Sequence, residues 1–137
     1  MIGDIWLNLP VKSIAKATDF FVHLGFALNA NQSDSKTRAC FAIGKKNVIV
    51  MLFVEDVFQK FAQSDVTDAA QSAEILVSIG VESRQEVDDL ARKAIEAGGV
   101  LFSAPAESQG WLYGCGFSDL DGHRWNVLFM DMSRLPS

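Results

Sequence analysis

The sequence predicts an α+β fold built from two β-α-β-β-β modules. Three observations carry that expectation. Apolar residues alternate with period two over residues 5–11 and again over residues 75–81. Each alternating stretch leads into a capped segment with helical spacing, and each such segment is followed by three more strand-like runs. A shift of about 70 residues relates the two series, which marks an internal duplication.

In the first module, Ile5, Leu7, Leu9 and Val11 occupy one face of the opening strand, and Trp6, Asn8 and Pro10 occupy the other. One face therefore suits packing under a helix, while the second is aromatic and partly polar. Ser13 suits a helix N-cap. Ile14, Ala17, Phe20, Phe21 and Leu24 follow at helical spacing, and Gly25 supplies the stop. Strands are expected over residues 26–31, 36–43 and 47–54, with Gly44-Lys45-Lys46-Asn47 turning between the last two.

The second module repeats this order. Ile75, Val77, Ile79 and Val81 alternate with Leu76, Ser78 and Gly80. Ser83 and Glu86 form a capping box, and Val87, Leu90, Ala91 and Ala94 give the helix its apolar stripe before Gly98-Gly99. Shorter strands are expected near residues 100–102 and 111–117. A tight turn at Asp119-Leu120-Asp121-Gly122 then leads into a last strand, Arg124–Met130. Pairing by offset matches Trp6 with Leu76, Asn8 with Ser78, Ser13 with Ser83, Cys40 with Cys115 and Met51 with Asn126. Shared order and face pattern, rather than residue identity, support the repeat.

The expected organisation is a single domain over residues 1–137, with a first module over 1–62, a linker over 63–73 and a second module over 74–137. Residues 55–62 suit a short helix carrying Val57, Phe58 and Phe61, and residues 63–73 are polar. The whole stretch 55–73 reads as a connector in preference to a lid.

Composition removes several classes of function. Twelve Lys and Arg against seventeen Asp and Glu leave a formal charge of −5, with a pI near 4.9, so no phosphate-tracking nucleic-acid surface is expected. The longest purely apolar run, Val48–Val54, is far shorter than the ~20 residues of a membrane-spanning helix. Asp4 and the lack of an early Lys or Arg disfavour a cleaved signal peptide. Cys40 and Cys115 cannot form a disulfide framework and suit reduced, buried thiols of a cytoplasmic protein. Both are expected on the faces turned to a cavity.

Trp6-Leu7-Asn8-Leu9-Pro10-Val11, the helix end Phe20-Phe21-x-x-Leu24-Gly25-Phe26 and the turn Asp119-Leu120-Asp121-Gly122-His123-Arg124-Trp125 give the chain its resemblance. With the duplicated unit, they resemble the glyoxalase, bleomycin-resistance and extradiol-dioxygenase group, the vicinal oxygen chelate superfamily, and more closely its lactoylglutathione-lyase-like members. The resemblance implies curled mixed sheets around a cavity, with four inward positions supplying His, Glu or Gln to a divalent ion in metal-bearing relatives. Carried over one by one, those positions fall on Trp6, Met51, Leu76 and Asn126. None is a usual ligand for zinc, manganese or iron. No metal and no other cofactor are therefore expected.

The candidate cavity lining is Trp6, Asn8, Arg38, Met51, Phe53, Leu76, Ser78, Tyr113, Asn126 and Leu128. The apolar members suit either a filled core or a pocket, but the opposite strand faces already provide aliphatic rows for helix packing. An aromatic and apolar lining with a few polar groups is the usual make-up of a small-molecule site. His123 is expected to stabilise its turn, His23 to be a partly buried structural side chain, and Asp4 and Glu74 to be solvated strand starts. No catalytic residue is assigned.

Two functions follow as expectations. The first is a metal-independent protein that binds a small, partly apolar molecule, neutral or cationic because of the acidic balance. The alternative is a lyase or isomerase of the lactoylglutathione-lyase type acting on a small-molecule substrate such as a thiol adduct. That alternative meets a chemical difficulty, because Asn126 cannot act as the base such proton transfer needs. A purely structural or regulatory partner role is the third class. A homodimer is expected from the habit of the resembled family and from the open sheet edges. Modules pairing within one chain or swapping across a dimer are equally compatible with the sequence.

Overall fold

The computed structural model describes residues 1–135 and divides the chain into two compact units, Met1–Asp68 and Ala69–Ser137. Each unit is a four-stranded mixed sheet with a helix against one face.

The first unit runs β1 (Trp6–Val11), α1 (Ile14–His23), β2 (Ala27–Leu28), β3 (Arg38–Ile43), β4 (Val48–Val54) and α2 (Glu55–Ala62). Its strand order is β1-β4-β3-β2, with β1 parallel to β4 and the other pairs antiparallel. The Ser13 hydroxyl caps α1 by accepting from the Lys16 N–H at 3.2 Å. Ile14, Ala17, Phe20 and Phe21 turn from α1 onto Leu9, Val11, Ala39, Phe41, Val50 and Leu52, and all of these are buried. Phe21 anchors this core: its ring meets those of Phe20, Phe26 and Phe41 at centroid distances of 5.0, 5.3 and 5.8 Å.

The second unit runs β5 (Leu76–Gly80), α3 (Arg84–Glu96), β6 (Val100–Ser108), β7 (Leu112–Ser118) and β8 (Arg124–Met130). Its order, β5-β8-β7-β6, repeats that of the first sheet. The Ser83 hydroxyl accepts from the Glu86 N–H at 3.1 Å, while the Glu86 carboxylate reaches back to the Glu82 N–H at 2.9 Å. Val87, Ala91 and Ala94 of α3 are buried, as are Phe117, Trp125 and Val127 of the sheet. Phe117 and Trp125 are direct cross-strand partners with their rings stacked.

The turn between β7 and β8 is organised by Asp119, which is buried. Its Oδ1 accepts from the N–H groups of Asp121 and His123, both at 3.0 Å, and its Oδ2 accepts from the Trp125 indole at 3.0 Å. Gly122 completes the turn at φ 86°, and a Cβ there would fall 2.8 Å from the Ala70 backbone nitrogen.

Several element boundaries differ from the sequence expectation. Residues 26–31 form only the two-residue β2 followed by a 3-10 turn at Ala30–Gln32, where the Asn29 side chain accepts from the Asn31 N–H. β6 extends over nine residues instead of three, and it tolerates Pro105 because it is an edge strand whose pairing with β7 shifts register twice. His23 is exposed instead of partly buried. Helix α2 is more than a solvated connector. It packs on β1 and β4, and its Phe61 ring meets Phe53 at 5.2 Å. Among the described residues, no helix is long and apolar enough to cross a membrane.

Candidate functional site

Alternation along paired strands gives each sheet one face under α1 or α3 and an opposite, open face, which in the first unit α2 meets at Phe53. In the first unit, the open face carries Trp6, Asn8 and Pro10 from β1, Ile49, Met51 and Phe53 from β4, and Arg38, Cys40 and Ala42 from β3. Asn8 lies opposite Met51, which lies opposite Cys40; Phe53 lies between Pro10 and Arg38. The expected residues Trp6, Asn8, Arg38, Met51 and Phe53 thus share one surface. Trp6 is 55% exposed, so its indole is an accessible apolar platform instead of core.

Arg38 is placed by the loop before it. The Asp34 carboxylate accepts from the Thr37 hydroxyl and from the N–H groups of Lys36, Thr37 and Arg38. Those bonds, led by the Thr37 hydroxyl, hold the Asp34 carboxyl well below the usual range.

In the second unit, the open face carries Leu76 and Ser78 from β5, Arg124, Asn126 and Leu128 from β8, and Gly114 and Gly116 from β7. Leu76 pairs with Arg124, and Ser78 with Asn126. The two glycines explain how this face is paved. A Cβ at Gly116 would come within 2.4 Å of the Phe102 ring, and one at Gly114 within 2.6 Å of a Leu128 methyl. Both side chains therefore lie flat across the sheet where β7 has no side chains to raise them. Phe102 also lies under the Arg124 guanidinium, whose Cζ sits 4.4 Å from the ring centroid.

Two expectations are corrected here. Tyr113 pairs with Phe129 on the helix-covered face, and its hydroxyl donates to the Asp88 carboxylate of α3 at 2.6 Å. It does not belong to the open face. That bond raises the Tyr113 pKa, with burial adding to it. Cys115 also faces α3, its thiol 4.0 Å from the Val87 carbonyl oxygen. The register makes Gly116, and not Cys115, the counterpart of Cys40, because Gly116 lies opposite Asn126 as Cys40 lies opposite Met51. Burial pushes both thiols up, that of Cys115 to about 11. Phe102 and Arg124 were missed by the sequence reading, although glycines at alternate positions of one strand signal a neighbouring side chain lying across it.

His123 contributes its backbone to the Asp119 turn, donating its N–H to the carboxylate and accepting from the Asp119 N–H at 2.9 Å. Asp4 and Glu74 are exposed.

Two sheets of order β1-β4-β3-β2, each written as β-α-β-β-β with one helix-covered face, define a glyoxalase/bleomycin-resistance-like fold. Solved structures agree. Hypothetical protein SA1046 from S. aureus is 36% identical, with 94% of this chain and 95% of that one covered at a TM-score of 0.83. A glyoxalase/bleomycin resistance protein/dioxygenase family enzyme from Burkholderia phytofirmans PsJN is 18% identical, covering 93% and 99% at 0.77. The fosfomycin resistance protein FosX from Listeria monocytogenes, complexed with Mn(II) and sulfate, is 19% identical, covering 98% and 95% at 0.69. No family model and no curated protein matches the sequence. The chain belongs to the same family as the staphylococcal protein, and the more distant structures share its fold.

The metal that the resemblance implies finds no suitable donors at the carried-over positions. Trp6, Met51, Leu76 and Asn126 all lie on open faces, yet they present an indole, a thioether, an alkyl group and an amide. Transition-metal sites want imidazole, carboxylate or thiolate. Among the described residues, no three His, Cys, Asp or Glu side chains converge to replace them.

Proposed function

We propose that this protein binds a small, partly apolar molecule on the open faces of its sheets, without a transition metal. The observation that carries the reading is the chemistry of the four carried-over ligand positions, which offer stacking and hydrogen-bonding surface in place of ligands. In the first unit an exposed tryptophan beside Asn8 and Met51, and in the second an Asn126–Ser78 pair flanked by Leu76 and Leu128, each offer the mixed apolar and polar surface that small molecules use. The strand residues of both open faces include no His, Asp or Glu, so a lyase-type proton abstraction lacks a base there. Elemental analysis of the purified protein tests the reading. Substoichiometric zinc, nickel, manganese and iron are expected, and about one such ion per chain would overturn it.

A further inference from the structure

The open face of the second sheet has a polarity that the composition conceals. The chain is acidic overall, yet the only charged residue among the β5, β7 and β8 positions of that face is Arg124. The other described arginines of this unit are neutralised. Arg84 pairs with Glu107, Arg92 with Asp89 and Glu96, and Arg134 with Glu107 and Asp131. Among the described residues, Arg124 has no carboxylate within ion-pair distance. It lies instead over the Phe102 ring, which orients the guanidinium and leaves its charge uncompensated.

We propose that Arg124 receives the oxyanion of the bound molecule, with Asn126 and Ser78 as further donors and with Phe102, Leu76 and Leu128 against its apolar part. Arg124 and Asn126 are two positions apart on one strand face, so their side chains stand roughly 7 Å apart. Ser78 lies directly across from Asn126. An oxyanion set between them meets a planar fork of N–H donors, an amide N–H and a hydroxyl. Stacking on Phe102 preorganises the fork, because the guanidinium is held in place before any ligand arrives. The inference rests on the binding function proposed above and narrows its ligand class. It replaces the neutral or cationic ligand expected from net charge with an anionic one.

Nuclear magnetic resonance titration separates this inference from the broader reading. Phenylacetate, phenyl phosphate and the uncharged phenylacetamide would each be added to the ¹⁵N-labelled full chain. Phenylacetate or phenyl phosphate should shift the amides of residues 76–78 and 124–128, and the tighter of the two identifies the oxyanion. Phenylacetamide should bind at least tenfold more weakly, and Arg124→Met should weaken the anion by roughly ten- to a hundredfold, the worth of charge-assisted hydrogen bonds. Equal binding of acid and amide to the unaltered chain would overturn the oxyanion site and leave apolar binding standing. No shift with any of the three would overturn both. The comparison on the unaltered chain needs no variant to fold.

Discussion

Trp6 and Trp125 show how position decides what one residue type does. Trp125 is fully buried against Phe117 and gives its indole N–H to Asp119, while Trp6 is 55% exposed on an open face. Truncating a buried tryptophan costs about 3–5 kcal/mol. Trp6→Ala should cost well under that, and under the binding proposal it should still weaken ligand affinity; paired urea midpoints and affinities measure both. Asp119 is the opposite case. Its carboxylate serves three donors from inside the fold, so Asp119→Ala strands the Trp125 indole and two backbone N–H groups. A loss of about 2–4 kcal/mol in urea unfolding is expected. A buried thiol adds pH dependence at the alkaline end. The Cys115 thiol is raised from 9.0 to about 11 by burial, so its stabilising contribution is complete below pH ~9 and is lost as pH rises through the folded value. Neither cysteine should react with an aromatic disulfide reagent at pH 8 until urea unfolds the chain; rapid reaction of native protein would contradict the burial.

At the scale of elements, helices were more legible than sheet faces. Ser13, Ser83 and Glu86 announce helix starts through local hydrogen bonds, and those bonds form. The alternation of β1, β4 and β8 also reads directly, since their buried faces are aliphatic or aromatic throughout. β7 does not read so easily. Gly114 and Gly116 erase the contrast between its faces, and the polar tip of Tyr113 passes for a site residue until Asp88 of α3 is found to accept it. The ring over Gly116, Phe102, sits on a strand whose register shifts twice, so no period-two rule assigns its face. Gly116→Ala tests this arrangement. Its new methyl would collide with the Phe102 ring, and displacement of Phe102 would release Arg124 from its stack. A destabilisation of about 1–3 kcal/mol is expected, with altered chemical shifts at Arg124. An unchanged urea midpoint would show that the ring moves aside freely.

Across the whole molecule, charge is segregated. The ion pairs of Arg84, Glu107, Arg134 and Asp131 and the acids of α3 lie away from open faces whose strand residues contribute only arginine as a charged type. Net charge alone favours a neutral or cationic ligand, and the oxyanion proposal departs from it because net charge averages over surfaces that the fold keeps apart. The outer strands β1 and β6 each contain a proline, and exposed Ile5 and Ile75 flank β1 and β5. We expect association into a homodimer to cover part of this surface, giving a light-scattering mass about twice 15.0 kDa; a mass near 15.0 kDa at all concentrations would contradict it.

The central claim is that binding needs the paved open faces and no metal. Its most direct test is calorimetric titration of phenylacetate, or of a tighter ligand found by screening, into protein before and after exhaustive chelation. Equal affinities are predicted, with no gain on adding manganese, zinc or nickel. Loss of binding on chelation and its return with one of those ions would contradict the account.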